Sequence, residues 1–420
     1  MRAPLILTAG VLMSALTIPL SSRQASIAWP LTVEQVPSPA AAESAQPQMS
    51  ASSRGVLLSW IERAGAHATL KFSERAAGRW SEPRTVASGA DWFVNWADVP
   101  SVVRLGDGTL AAHWLQKSGA DTYAYDVRLA YSKDDGKTWS ASFLPHHDGT
   151  RTEHGFASLF HMAGGGLGAV WLDGRAMARP EGQKPGASDH GHGEMSLRFA
   201  AFDGNWKQVA DEPIDPRVCE CCPTAVAMTS DGPIAAYRNR GSDEDRDIYI
   251  TRRENGTWTA PTAVHRDGWK IAACPVNGPA LSARGRDVAI AWFMAKDDQP
   301  RVFVAFSSDA GRTFAAPTRV DDVSTLGRVD VELLPDGAAA VSYIEFAEKR
   351  AQFRVRRIDR TGARSAPITI SALDSGRASG YPRMARDGAA LVFAWTARDV
   401  STRVHTAVAR LPGSPAAGRQ

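Results

Sequence analysis

The chain has 420 residues, 44% of them hydrophobic, with 48 basic and 45 acidic side chains and a formal net charge of +3. The two signs are interleaved throughout, which excludes the concentrated basic stripe that a nucleic-acid partner requires. The length suits two or three ordinary domains or one large array of β-strands, and periodicity has to decide between them.

Arg2 precedes an uncharged apolar run over residues 5–20. The run is shorter than the roughly 20 residues of a membrane span, so residues 1–25 read as a cleaved signal peptide. An exported protein follows, periplasmic or secreted, with no membrane span in the mature chain and a monomer as the expected state.

Further along, a short apolar strand ending in an aromatic residue recurs seven times. It reads LLSWIE from Leu57, LAAHWLQ from Leu110, GAVWLDG from Gly168 and IAAYRNR from Ile234. It returns as VAIAWFMA from Val288, AAVSYIEF from Ala339 and LVFAWTA from Leu391. A spacing of roughly 50 residues is that of four-stranded propeller blades. Gly-rich turns at 105–108, 163–166, 230–232, 335–337 and 386–388 mark hairpins between first and second strands. No stretch keeps a 3.6-residue amphipathic period, so helix content is expected to be small.

The last repeat has only three strands before the chain ends. Residues 27–36 (IAWPLTVEQV) share a Trp, Pro and Val pattern with 80–86 (WSEPRTV) and are expected to supply the missing fourth strand. Closing the ring in this way removes both free edges. The expected organisation is therefore a closing strand and linker over 26–48, a propeller over 49–411 and a disordered tail over 412–420.

Ser132, Asp134, Gly136, Thr138 and Trp139 fit S-x-D-x-G-x-T-W in full, and Ser307, Asp309, Gly311, Thr313 and Phe314 fit it with Phe in the last place. Degenerate copies stand at 73–80, 203–206 and 254–258. These turns are Asp-boxes, and over about residues 45–411 the chain resembles the sialidase-like (BNR-repeat) propellers. The fold class is thus all-β, with seven repeats counted and a six-bladed sialidase-type ring as the alternative. The boxes themselves read as structural: the aspartates accept backbone N–H groups, the glycines supply positive φ, and the aromatic wedges against the blade. They are expected on the face opposite the active one.

In a propeller, the loops leading into the innermost strands open on one face, together with those joining second and third strands. The leading loops bring Trp96, Asp98, Glu153, His154, the four cysteines, Asn277, Arg328, Asp330, Arg377 and Tyr381 to that face. The second set brings Asp173, Arg175, residues 238–247 and Glu345. Arg240, Arg328, Arg377, Asp247, Asp330 and Glu153 are the expected ligand contacts in this mouth.

All four cysteines fall in two adjacent leading loops, Cys219, Cys221 and Cys222 in one and Cys274 in the next. Disulfides are the ordinary expectation for an exported protein. Cys274 can bond only one of the other three, and neighbouring Cα atoms lie only about 3.8 Å apart, so a Cys221–Cys222 bridge would be strained. Free thiols or a copper or zinc ion are the alternatives, with His190, His192 and His154 as further ligands.

The sialidase resemblance implies a site of its own. Members grip a substrate carboxylate with three arginines, attack with a tyrosine activated by a glutamate, and use an aspartate as acid/base. Transferred here, that implies Arg240, Arg328 and Arg377 as the clamp, Tyr381 as nucleophile, Glu345 or Glu153 as its base, and Asp98 or Asp173 as acid/base. Two departures stand against it: no Arg-Ile-Pro motif occurs near the N-terminus, where 48–54 reads QMSASSR, and seven repeats are counted where sialidases have six blades. The function expected first is binding, and hydrolysis if catalytic, of a small anionic or glycan ligand. A periplasmic thiol or metal protein and a non-catalytic scaffold are the rivals. No G-x-S-x-G elbow, Walker loop or H-E-x-x-H helix is present.

Overall fold

A computed structural model describes residues 26–162, 164–178 and 193–413. The expected signal peptide, His190, His192 and residues 414–420 lie outside the described residues. Among those described are seven sheets, antiparallel but for one two-residue pairing, and three single-turn 3-10 segments, with no α-helix. Nor is any described helix long and apolar enough to cross a membrane.

Each predicted aromatic strand is the second strand of one sheet. The seven are Gly55–Ala64, Leu110–Lys117, Leu167–Asp173, Gly232–Arg238, Asp287–Met294, Ala339–Ala347 and Ala390–Arg398, and they define blades 1 to 7. The innermost strands are Ser44–Ser52, Ser101–Arg104, His154–His161, Ala225–Thr229, Ala280–Arg284, Thr325–Leu333 and Arg383–Asp387. Together they line a central cavity of about 280 Å³. The protein is a seven-bladed β-propeller.

The recurring aromatic explains itself in this ring. Trp60, Trp114, Trp171, Tyr237, Trp292, Tyr343 and Trp395 are each at most 5% exposed. They fall in seven different hydrophobic clusters, one at each blade interface. A strand covered by neighbours on both faces has no polar side, which is why these segments read as continuous apolar runs. Burying each ring contributes about 2–3 kcal/mol, so the core is radial and spread evenly around the circle.

Ring closure follows the expectation, with a difference in detail. Val33–Val36 pairs antiparallel with Thr402–Arg410 as the outer strand of blade 7, Val33 opposite Ala409. The expected strand over 27–36 is broken, however. Pro30 lacks an N–H and cannot continue a ladder. Ser26–Ile27 instead pairs in parallel with Arg364–Ser365 of blade 6, and Trp29 and Leu31 fill the cluster between blades 6 and 7. Blade 2 has three strands, and a loop tied by a single Leu129–Phe143 bridge stands where its fourth would lie.

The two complete Asp-box turns are built alike. Ser132 Oγ accepts the Gly136 N–H at 2.8 Å, and Asp134 accepts the Thr138 N–H at 2.9 Å and the Thr138 hydroxyl at 2.6 Å. The corresponding distances at Ser307 and Asp309 are 2.9, 2.9 and 2.6 Å. Asp135 takes Arg54 and Arg104 from the inner hairpins of blades 1 and 2. The boxes therefore share the face of the first hairpins, away from the leading loops.

Candidate functional site

At the opposite face, three innermost strands begin with bulges, the one in blade 1 at Gln46. Phe156 in blade 3 and Arg328 in blade 6 both have φ of +51°, each where its strand slips register against the second strand. Left-handed backbone at a residue with a side chain is strained, and bulges re-aim the groups beside them. In blade 3 the bulge turns the Phe156 N–H onto Asp98 Oδ1 at 2.8 Å. Gly155 makes this possible: a Cβ there would fall 2.1 Å from Asp98 Oδ2.

Asp98 and Glu153 flank one tyrosine. The Tyr125 hydroxyl lies 2.7 Å from Glu153 Oε1 and 3.2 Å from Asp98 Oδ2, all within buried surroundings. A hydroxyl has a single proton to donate, so the second carboxyl completes the array only by keeping its own proton. Burial pushes the Asp98 carboxyl up to about 7 and that of Glu153 up to about 8. Glu153 alone of the three reaches the mouth, at 8% exposure against 1% for the other two. It lies within electrostatic reach of Cys274 and Glu220. Tyr125, the first residue of the third strand of blade 2, was not among the expected site residues.

The four cysteines meet across blades 4 and 5, and all are free. Cys219 Sγ lies 3.3 Å from Cys222 Sγ and 3.7 Å from Cys221 Sγ, and Cys274 lies within electrostatic reach of Cys221. Against the cost of burial, hydrogen bonds from Cys219 and Cys221, the Arg238 charge and the Asn277 N–H hold the Cys222 thiol well below its usual range. Burial pushes Cys219 up to about 12. His190 and His192, expected as further ligands, are outside the described residues.

The three arginines do not form one clamp. Arg328 Nη1 donates to Ser379 Oγ at 2.7 Å and to the Gly380 and Gly376 carbonyls at 2.9 and 3.2 Å, so its guanidinium holds the backbone of the blade 7 loop. Arg240 is engaged by Glu244 at 3.0 Å, with Glu194 and Glu220 at 3.5 and 3.7 Å. Arg377 is exposed, 5.9 Å from the Trp96 ring centroid, and Arg328 lies 4.7 Å over the same ring. Arg328 and Arg377 thus share Trp96, while Arg240 belongs to a separate acidic group.

Nor does Tyr381 meet Glu345. The Tyr381 hydroxyl donates to the Val276 carbonyl, its ring stacks on Trp96 at 5.9 Å, and burial raises its pKa. Glu345 is fully buried, accepting the Asp322 and Val323 N–H groups at 2.7 and 3.0 Å and Arg354 at 2.7 Å. It is a structural acceptor, since every one of these contacts ties neighbouring backbone or strand. Asp247 accepts the Gly268 N–H at 3.0 Å, and Asp330 accepts the Met384 N–H at 2.9 Å across the cavity wall.

Asp173 and His154 belong to another buried group. Asp173 accepts Trp171 Nε1 at 2.9 Å and a two-pronged contact from Arg175 at 2.7 Å. His154 lies 3.3 Å from Asp148, 3.4 Å from Asp126 and 3.8 Å from Asp173, its ring stacked 3.9 Å from that of His146. Burial disfavours charge on both rings, but the carboxylates around His154 lift it to about 9 while His146 falls to about 4. Rings stacked at an interplanar angle of 9° aim their nitrogens side by side rather than at one point. These contacts tie the 140–152 loop of blade 2 to blade 3.

No known protein family matches the chain, and no characterised protein matches it in sequence. Solved structures do share its shape. The polysaccharide lyase Uly1 superposes with a TM-score of 0.52 at 9% identity, over 87% of this chain and 90% of that one. The endosialidase of phage phi92 superposes with a TM-score of 0.52 at 9% identity, over 93% of this chain and 71% of that one. The likeness is one of fold: this chain is a β-propeller, and it has seven blades.

Proposed function

We propose that this is an exported protein whose channel mouth binds a small anionic glycan, with Glu153 as the group that exchanges a proton with it. The observation that carries the reading is the Asp98–Tyr125–Glu153 array: two carboxyl groups on one hydroxyl, only one of them reaching the mouth. A protonated Asp98 that donates to the Tyr125 oxygen leaves the Tyr125 hydroxyl to donate to Glu153, and a proton passed to Glu153 through that hydroxyl is replaced on Tyr125 by the one from Asp98. The exposed Arg377, beside the half-buried Trp96, suits a carboxylate. Two proteins of the same fold are named as a polysaccharide lyase and an endosialidase, which agrees with a sugar ligand. The uncharged run over 5–20 supports export.

The test combines calorimetry with product analysis by mass spectrometry, using sialic acid, uronate-terminated oligosaccharides and their neutral counterparts. Carboxylated sugars are expected to bind, and Arg377→Ala to weaken them about 10-fold without affecting neutral ones. Glu153→Gln is expected to lower any turnover by about 100-fold or more with binding retained. The reading fails if carboxylated and neutral sugars are bound alike, or if none binds.

A further inference from the structure

The cysteine loops form a structural unit of their own. The first is anchored by the Cys219 N–H on the Arg238 carbonyl at 3.0 Å. The second is pressed against it at Gly278, where a Cβ would fall 2.0 Å from the Pro223 carbonyl oxygen, so only glycine permits the approach. That contact brings Cys274 of blade 5 onto Cys221 of blade 4.

Three of the four sulfur positions match a coordination shell, with Cys274 beside Cys221 outside that group. The Cys219, Cys221 and Cys222 sulfurs all lie within 4.8 Å of one another, at 3.3 and 3.7 Å for the two pairs that touch. Four sulfurs tetrahedrally placed at about 2.3 Å from one ion are separated by about 3.7 Å. Several thiolates in one place need positive charge nearby. Arg238 and Arg246, each 1% exposed, supply it, and the Arg246 Nε is buried with no hydrogen-bond partner. The Arg246 charge acts on Cys219 and Cys274, that of Arg238 on Cys222.

We propose that Cys219, Cys221, Cys222 and Cys274 together bind one closed-shell thiophilic metal ion, Zn(II) or Cu(I). Sulfur without nitrogen or oxygen selects these ions over hard cations. The C-x-C-C run departs from the recurrent zinc spacings, but the ligand set is completed in space by the adjoining blade. The inference does not rest on glycan binding.

The experiment uses the whole protein, purified without a histidine tag and reduced anaerobically. Zn(II) is titrated against a chromophoric chelator, and Cu(I) against bathocuproine disulfonate, with no sugar present. One equivalent of one of these ions is expected, and the two competitions tell which is held more tightly. Cobalt substitution should give an intense thiolate-to-metal band in the near ultraviolet. Cys221→Ser and Cys274→Ser should each weaken binding more than about 100-fold, the upper range for losing a mere supporting contact. Cys274 is exposed, so its variant tests the ligand set with little risk to folding, which circular dichroism checks. A reduced protein that takes up neither ion overturns the proposal, as does a Cys274→Ser variant that binds as tightly as the parent. Peptide mapping that finds two disulfides, with no uptake after reduction, overturns it as well.

Discussion

Tyr125 faces two carboxyl groups with a single hydroxyl proton, and the consequence for stability can be worked out in sign. Asp98 has a folded-state pKa of about 7, raised by burial above the usual 3.8. Its protonated form is therefore favoured by folding. The associated stability is fully present below about pH 4 and is lost as pH rises through about 7. Asn at this position keeps an acceptor for the Phe156 N–H and a donor for Tyr125 without titrating. Asp98→Asn is expected to match the parent near pH 4 and to exceed it by roughly 4 kcal/mol at pH 8.5, given about 1.4 kcal/mol per pKa unit. Chemical denaturation at the two pH values checks this, and parallel pH profiles for the two proteins would rule it out. The sequence places Asp98 and Glu153 at the mouth by counting strands; the structure brings the two together on Tyr125, with Glu153 alone reaching the mouth. Tyr125 escaped because an aromatic at the start of a strand reads as core, and nothing local shows that its hydroxyl ends between two loops of different blades. Tyr381 shows the converse, since its ring belongs to the Trp96 stack and its hydroxyl to a backbone carbonyl.

At the scale of elements, the aromatic strands and the Asp-box turns were legible because each is a local pattern with a local cause. The closing strand was legible in existence but not in extent, since Pro30 divides 27–36 between two blades. The missing outer strand of blade 2 had no signal, because the His146 and His154 network that replaces it joins residues from separate loops. Deleting residues 26–36 removes the outer partner of Thr402–Arg410 and uncovers the cluster filled by Trp29 and Leu31. Losing a buried Trp alone costs about 3–5 kcal/mol. The truncated protein is expected to melt at lower temperature and to self-associate through the open edge, seen by calorimetry and light scattering. An unchanged melting temperature with a monomeric profile would contradict the closing role.

For the whole molecule, the seven interface clusters make each blade depend on its two neighbours, and the loops of one face inherit their positions from that ring. Counting strands therefore predicted which loops share the mouth. It could not say which side chains pair there, because Arg328 meets Ser379 and Cys274 meets Cys221 through distances that only the packed ring sets. The same ring has a consequence in time. Val33–Val36 is paired with Thr402–Arg410 at the far end of the chain. During synthesis the strand made early has no partner until nearly all the rest exists, so six blades can stack while the circle stays open. Long-range pairing of this kind is slow and leaves apolar edges uncovered meanwhile. Completion of the circle is thus set to be the last and slowest step of folding, and the interval before it the period in which the chain is most exposed to wrong partners.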